Sequence, residues 1–151
     1  MIPLTTLQYL RSQRVKDADT LFRHGRNNGA LYLMGYALEF SLKRKISLTF
    51  GFARGFPETS IELSTYTSQV NRFHALQTGV QLNKIGQLRH HRLNDLLTYS
   101  GERPRIMALY HPEWLAVSQW NPENRYIRQR VTQARAAEFM RSAKLILKEI
   151  S

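Results

Sequence analysis

Tyr32, Tyr36, Glu39 and Lys43 stand at i, i+4, i+7 and i+11, so on a helix they form one stripe with polar tips over an apolar base. Glu39 and Lys43 alone would make an i,i+4 surface ion pair worth roughly a few tenths of a kcal/mol. Two tyrosines on the same line ask for more. One reading is a buried, hydrogen-bonded network between helices, since buried polar groups need partners. The other is a ligand site. Of the histidines, His90 and His91 are adjacent and poorly placed to share a ligand from one helix, while His24 and His74 stand alone. No metal site or other cofactor is expected. Trp114 and Trp120 can stack a base or fill a core, and core is the expectation.

The stripe needs a helix to carry it, and the spacing predicts one over 29–50. Asn27 or Asn28 can cap its start and Gly51 can take the left-handed conformation that ends it. Leu31, Gly35, Leu38 and Leu42 run beside the stripe, with Ala30, Leu33, Ala37 and Phe40 nearby, so this helix should sit centrally in a bundle. Gly35 costs about 1 kcal/mol against alanine inside a helix, which predicts that another helix crosses closely there.

Residues 5–24 read as a first, antiparallel helix with Leu7, Leu10, Ala18, Leu21 and Phe22 inward and Gly25 as its stop. After the loop Gly51 to Pro57, a start at Pro57 to Ser60 leads into Leu63, Tyr66, Val70 and Phe73 at helical spacing; 78–88 reads as a loop around Gly79 and Gly86. A helix over 89–99 closed by Ser100-Gly101, a short stretch between Pro104 and Pro112, and one or two turns over 113–119 follow. The last helix is expected over 124–150, with Ala136, Phe139, Met140, Ala143, Ile146, Leu147 and Ile150 on one face and Arg141, Lys144 and Lys148 on the other. There is no internal repeat and no strand pattern.

A chain of 151 residues, 42% of them hydrophobic, fits one domain over 1–151 that buries about 70% of its unfolded surface. Having no cysteine, it has no disulfide, thiolate zinc site or cysteine nucleophile. No signal peptide or membrane span is read, so a cytoplasmic location without membrane attachment is expected. Lys and Arg number 22 against 11 Asp and Glu, a net charge of +11. Such an excess favours an anionic partner: nucleic acid, a nucleotide or an acidic protein. The basic residues are spread in small groups rather than a tail, which fits a solvated face as well as a binding surface.

The run from Gly29 to Lys43, GALYLMGYALEFSLK, resembles the signature helix of HEPN domains, all-α domains named for higher eukaryotes and prokaryotes nucleotide-binding. His91 to Leu97 is similar to that family's H-x-L-x-x-L-L helix, and Trp120 to Tyr126 to its W-x-P-E-x-R-Y entry to the last helix, in the right order and spacing. The resemblance covers roughly 5–50 and 89–150 and makes 52–88 an insertion. It implies an antiparallel bundle of about five main helices with an inserted helix or loop between the second and third. It also implies a nucleotide- or RNA-binding module, noncatalytic, working as a homodimer or beside a nucleotidyltransferase partner in a toxin–antitoxin or defence system. Tyr32, Tyr36, Glu39, Lys43, Arg89, Arg92 and Arg125 are the binding candidates. His91 is expected to cap or pack between helices, and Arg125 and Tyr126 to anchor the last helix.

Many members of that family are metal-independent ribonucleases with an R-x(4-6)-H motif near a dimer seam, and Arg105 to His111 matches it with five intervening residues. Histidine can move the proton of a 2′-hydroxyl near neutral pH, and arginine can grip the phosphate in a fork, leaving a 2′,3′-cyclic phosphate and a 5′-hydroxyl. An endoribonuclease toxin using Arg105 and His111 is therefore the first alternative. A basic adaptor for an acidic protein is the second. Residues six apart on a regular helix point roughly 120° apart, so the pair needs a distortion, which Pro104 and Pro112 can supply.

Overall fold

A computed structural model of the protein describes residues 1–76, 82–126 and 129–150, without the side chains of residues 69, 73–76 and 125. The described residues form eight α-helices: α1 Leu4–Arg23, α2 Asn27–Thr49, α3 Ser60–Ser64, α4 Thr67–Leu76, α5 Leu93–Ser100, α6 Arg103–Leu109, α7 His111–Ser118 and α8 Gln133–Glu149. Two 3-10 turns lie at Ile85–Gln87 and Pro122–Tyr126. Among the described residues there is no strand, only one antiparallel bridge between Ile2 and Phe56, and no helix long and apolar enough to cross a membrane. The architecture is an all-α helical bundle.

Local chemistry sets the frame. Gly25, Gly51 and Gly101 take φ of 69°, 67° and 79°, left-handed values that glycine adopts without strain, just after α1, α2 and α5. α1 therefore folds back along α2, with Leu7 and Ala18 buried in their seam. α2 is the central helix: Ala30, Met34, Ala37, Leu38, Leu42 and Ile46 are all fully buried, and α1, α5 and α8 pack around it. From α8, Ala136, Phe139, Met140, Ala143, Ile146, Leu147 and Ile150 enter the core, while Arg141, Lys144 and Lys148 face solvent, as the 3.6-residue period predicts.

Residues 52–76 and 82–88 share this core, burying Phe52, Phe56, Leu63, Tyr66, Val70, Leu82 and Leu88. Thr59 caps α3 by accepting from the Glu62 amide at 3.1 Å, close to the predicted helix start. Phe73 lacks a described side chain, and 78–81 of the predicted loop lie outside the described residues.

Three boundaries differ from expectation. The helix predicted over 89–99 begins at Leu93, because 89–92 runs as a bend into an extended N-cap at Arg92. The helix predicted over 124–150 divides: Pro122 opens a 3-10 turn, and α8 starts only after Thr132, whose hydroxyl accepts from the Arg135 amide at 3.3 Å. Residues 127–128 lie outside the described residues. The asparagines expected to cap α2 do other work. Asn28 donates to the Gln129 carbonyl at 3.0 Å and accepts from the Val131 amide at 2.9 Å, and Asn27 donates to the Val131 carbonyl at 3.2 Å. Asn28 thus serves the backbone of 129–131 much as a neighbouring strand would, giving it partners outside a helix.

Candidate functional site

Glu39 lies in the middle of α2 with 1% of its surface exposed, and a lone carboxylate there would be costly. Both of its oxygens are satisfied. Lys43, one turn on, donates from Nζ to Oε1 at 2.6 Å, and His91 donates from Nδ1 to Oε2 at 2.7 Å. The ammonium also lies 5.4 Å from the centre of the Phe56 ring. Because the carboxylate can only accept, it assigns the proton to Nδ1 of His91 and leaves Nε2 with a free lone pair when the ring is neutral. Of the network expected of the stripe, the Glu39–Lys43 part is present, and through His91 it reaches a second element.

That second element is the extended 89–92 segment. His91 keeps 51% of its side chain exposed while its inner nitrogen is held. Had the helix begun at 89, the backbone here would run differently; its late start lets His91 lean onto α2. Arg89 is exposed and has no ion pair among the described residues. Arg92 donates from Nε to Asp95 at 2.8 Å but is 73% exposed, so this pair binds it weakly. His90 turns inward: Nδ1 accepts from the Arg92 amide at 3.2 Å, and Nε2 lies 3.7 Å from Asp95, beyond hydrogen-bond reach. Burial first, then the charge of Arg92, pushes the His90 pKa below its ordinary value.

Tyr36 continues the site along α2. Its ring meets His91 edge-on at 5.8 Å, Trp120 edge-on at 5.1 Å and Tyr32 edge-on at 5.1 Å. Gly35 makes this possible: a Cβ there would sit inside the Trp120 indole. The close approach predicted at Gly35 is real, but a tryptophan beyond the end of α7 makes it rather than a crossing helix. Trp114 and Trp120 are both buried, as expected of core.

The structure thus brings together Tyr32, Tyr36, Glu39 and Lys43, with Arg89 and Arg92 on the segment that contacts them. The side chain of Arg125 lies outside the described residues. Sequence reading missed His91 as the partner of Glu39. The two are 52 positions apart, beyond any helical period, and only the H-x-L motif hinted that His91 meets another helix.

Arg105 and His111 are placed differently. α6 ends at Leu109, Tyr110 leaves the helical region at φ −135° and ψ 31°, and α7 begins at His111. Pro104 and Pro112 each occupy a first turn, where their missing N–H costs nothing. The pair therefore spans two successive helices. Arg105 donates from Nε to Glu102 at 2.8 Å, and through its terminal nitrogens to the Glu149 carboxylate at 3.1 Å and the Glu149 carbonyl at 2.5 Å. Lys45 pairs with the other oxygen of Glu102 at 2.8 Å, so this cluster fastens α6 to α2 and to the end of α8. Burial would raise the Glu102 pKa, but the bonds from Lys45 and Arg105 outweigh it and hold it low. His111 is exposed, with no side-chain hydrogen bond among the described residues.

Compared with models of protein families, with curated proteins and with solved structures, the chain finds no match.

Proposed function

We propose that this chain is a nucleotide- or RNA-binding module, HEPN-like and noncatalytic, that binds through the Tyr36–His91 surface and its flanking arginines. The observation that carries the reading is His91: exposed outside, fixed inside by Glu39, and set between Tyr36 and the cations of the 89–92 segment. A preorganised ring whose second nitrogen has no partner among the described residues suits an unstacked base or a ribose hydroxyl. Neighbouring arginines suit phosphates. The charge of +11 supplies the long-range attraction such a surface needs. The resemblance of the three motifs extends the reading to a homodimer or a nucleotidyltransferase partner in a paired toxin–antitoxin or defence system.

Fluorescence anisotropy of a labelled single-stranded RNA pool, across a salt series, tests it. Binding whose log affinity falls linearly with log salt, from a protein that creates no new RNA ends in chelator, is the expected result. Absence of binding even at low salt removes the reading. New ends bearing cyclic phosphates, lost in His111→Ala, would replace it with the endoribonuclease alternative.

A further inference from the structure

Behind the Tyr36 surface, where the start of α2 faces α7 and α8, lies a groove of about 640 Å³. Leu31, Tyr32, Leu115, Trp120 and Phe139 make its walls apolar and largely aromatic. Its polar groups are of an unusual kind. Gln119, Asn124 and Gln129 present neutral carboxamides, none engaged by a side-chain hydrogen bond among the described residues, and Arg135 and Glu138 stand together on α8. Arg135 has no carboxylate within ion-pair distance among the described residues, Glu138 included.

We propose that this groove is a nucleobase pocket, taking one unstacked base that carries an exocyclic amino group, with the attached phosphate toward Arg135. The proposal deepens the RNA- or nucleotide-binding reading and rests on it. Aromatic walls accept the flat face of a heterocycle. Carboxamides offer a donor and an acceptor each, the match for the edge of a base, whereas an acidic peptide would call for a cationic rim. Glu138 can only accept when ionised, so it favours an amino-bearing base over uracil. Tyr32 lines the groove and also touches Tyr36, so a strand lying across His91 has a pocket for its next base within one aromatic contact. A volume of this size lies in the ordinary range for small-ligand sites.

Two-dimensional amide and indole NMR of the intact protein tests the pocket, with adenosine 5′-monophosphate, uridine 5′-monophosphate and ribose 5-phosphate as probes. Trp114 donates its indole N–H to Asn94 at 2.8 Å and lies outside the groove, so its resonance is an internal control beside that of Trp120. The expected result is that the adenine nucleotide shifts Trp120, Gln119 and Gln129 at lower concentration than the uridine nucleotide, with ribose 5-phosphate last and Trp114 still. Leu115→Ala, at a position 55% exposed, should weaken the adenine nucleotide about fivefold, on the order of one lost, partly buried aliphatic contact. Equal shifts from all three probes, or none at the groove, overturn the pocket. RNA binding that persists while the groove resonances stay fixed would sink the pocket and spare the broader reading. Groove shifts from the adenine nucleotide alone, in a protein that binds no RNA, would keep the pocket and sink the RNA-binding surface at Tyr36 and His91.

Discussion

Two carboxylate clusters brace α2, and they divide exposure from availability in opposite ways. Around Glu39 the carboxylate is buried and one of its partners, His91, keeps half of its side chain exposed, with no hydrogen bond from its second ring nitrogen among the described residues. Around Glu102 and Glu149 the partner is Arg105, 39% exposed, yet its guanidinium is committed to two carboxylates and a carbonyl. Exposure alone does not make a side chain available for a ligand; unspent hydrogen-bonding capacity does. By that measure the Glu39 cluster is built to present a group, and the Arg105 cluster to hold helices together.

The sharpest way to break this contrast is to remove the centre of the first cluster. Glu39→Ala leaves Lys43, whose side chain is 12% exposed, without its counter-charge, and a broken buried pair costs about 3–5 kcal/mol. Urea unfolding should show a loss of that order; a loss under about 1 kcal/mol would mean the network is not holding the site. Next in size is Gly35→Ala. Helix propensity would gain about 1 kcal/mol, but the added methyl enters the Trp120 ring, and overpacking costs about 1–3 kcal/mol. A net fall in Tm is expected, with a changed near-ultraviolet circular dichroism from the tryptophans. A rise would contradict the packing of Trp120.

Arg105→Ala sharpens the contrast from the other side. Partial exposure screens its ion pairs, so a loss of about 1–2 kcal/mol is expected by urea unfolding, with RNA affinity nearly unchanged. In Arg89→Ala the pattern should invert: stability within about 0.5 kcal/mol of the parent, and a salt slope for RNA binding reduced by about one.

Acid should loosen both regions, in two windows. The folded state holds His90 below its ordinary pKa of 6.5, so as pH falls past that value the unfolded chain takes up a proton the fold refuses. Stability therefore drops there until the folded pKa is passed. Glu102, held below its ordinary 4.5, contributes fully above that value, and the contribution is lost as pH falls through its folded pKa. Urea midpoints measured across this range should show both limbs, with the upper one missing in His90→Gln.

Much of the frame was legible because it rests on local rules. Gly25, Gly51 and Gly101 end helices where the chain must reverse, and the apolar period of α2 and α8 marks their buried faces. What escaped was non-local. The delayed start of α8 depends on Asn28 serving the backbone of residues about a hundred positions away, and the late start of α5 frees His91 for Glu39. Neither leaves a periodic trace. In the same way Arg105 and His111 matched a spacing, but nothing in that spacing disclosed that Glu149 occupies the arginine.

The most direct test compares RNA affinity, by anisotropy at one fixed salt concentration, between Arg89→Ala/Arg92→Ala and Arg105→Ala, with folding of each checked by circular dichroism. A loss of tenfold or more in the double variant, beside less than about twofold in Arg105→Ala, is what phosphate contacts at the first cluster alone would give. The opposite ranking, in folded proteins, would move the site to the Arg105 cluster and contradict the division drawn between the two.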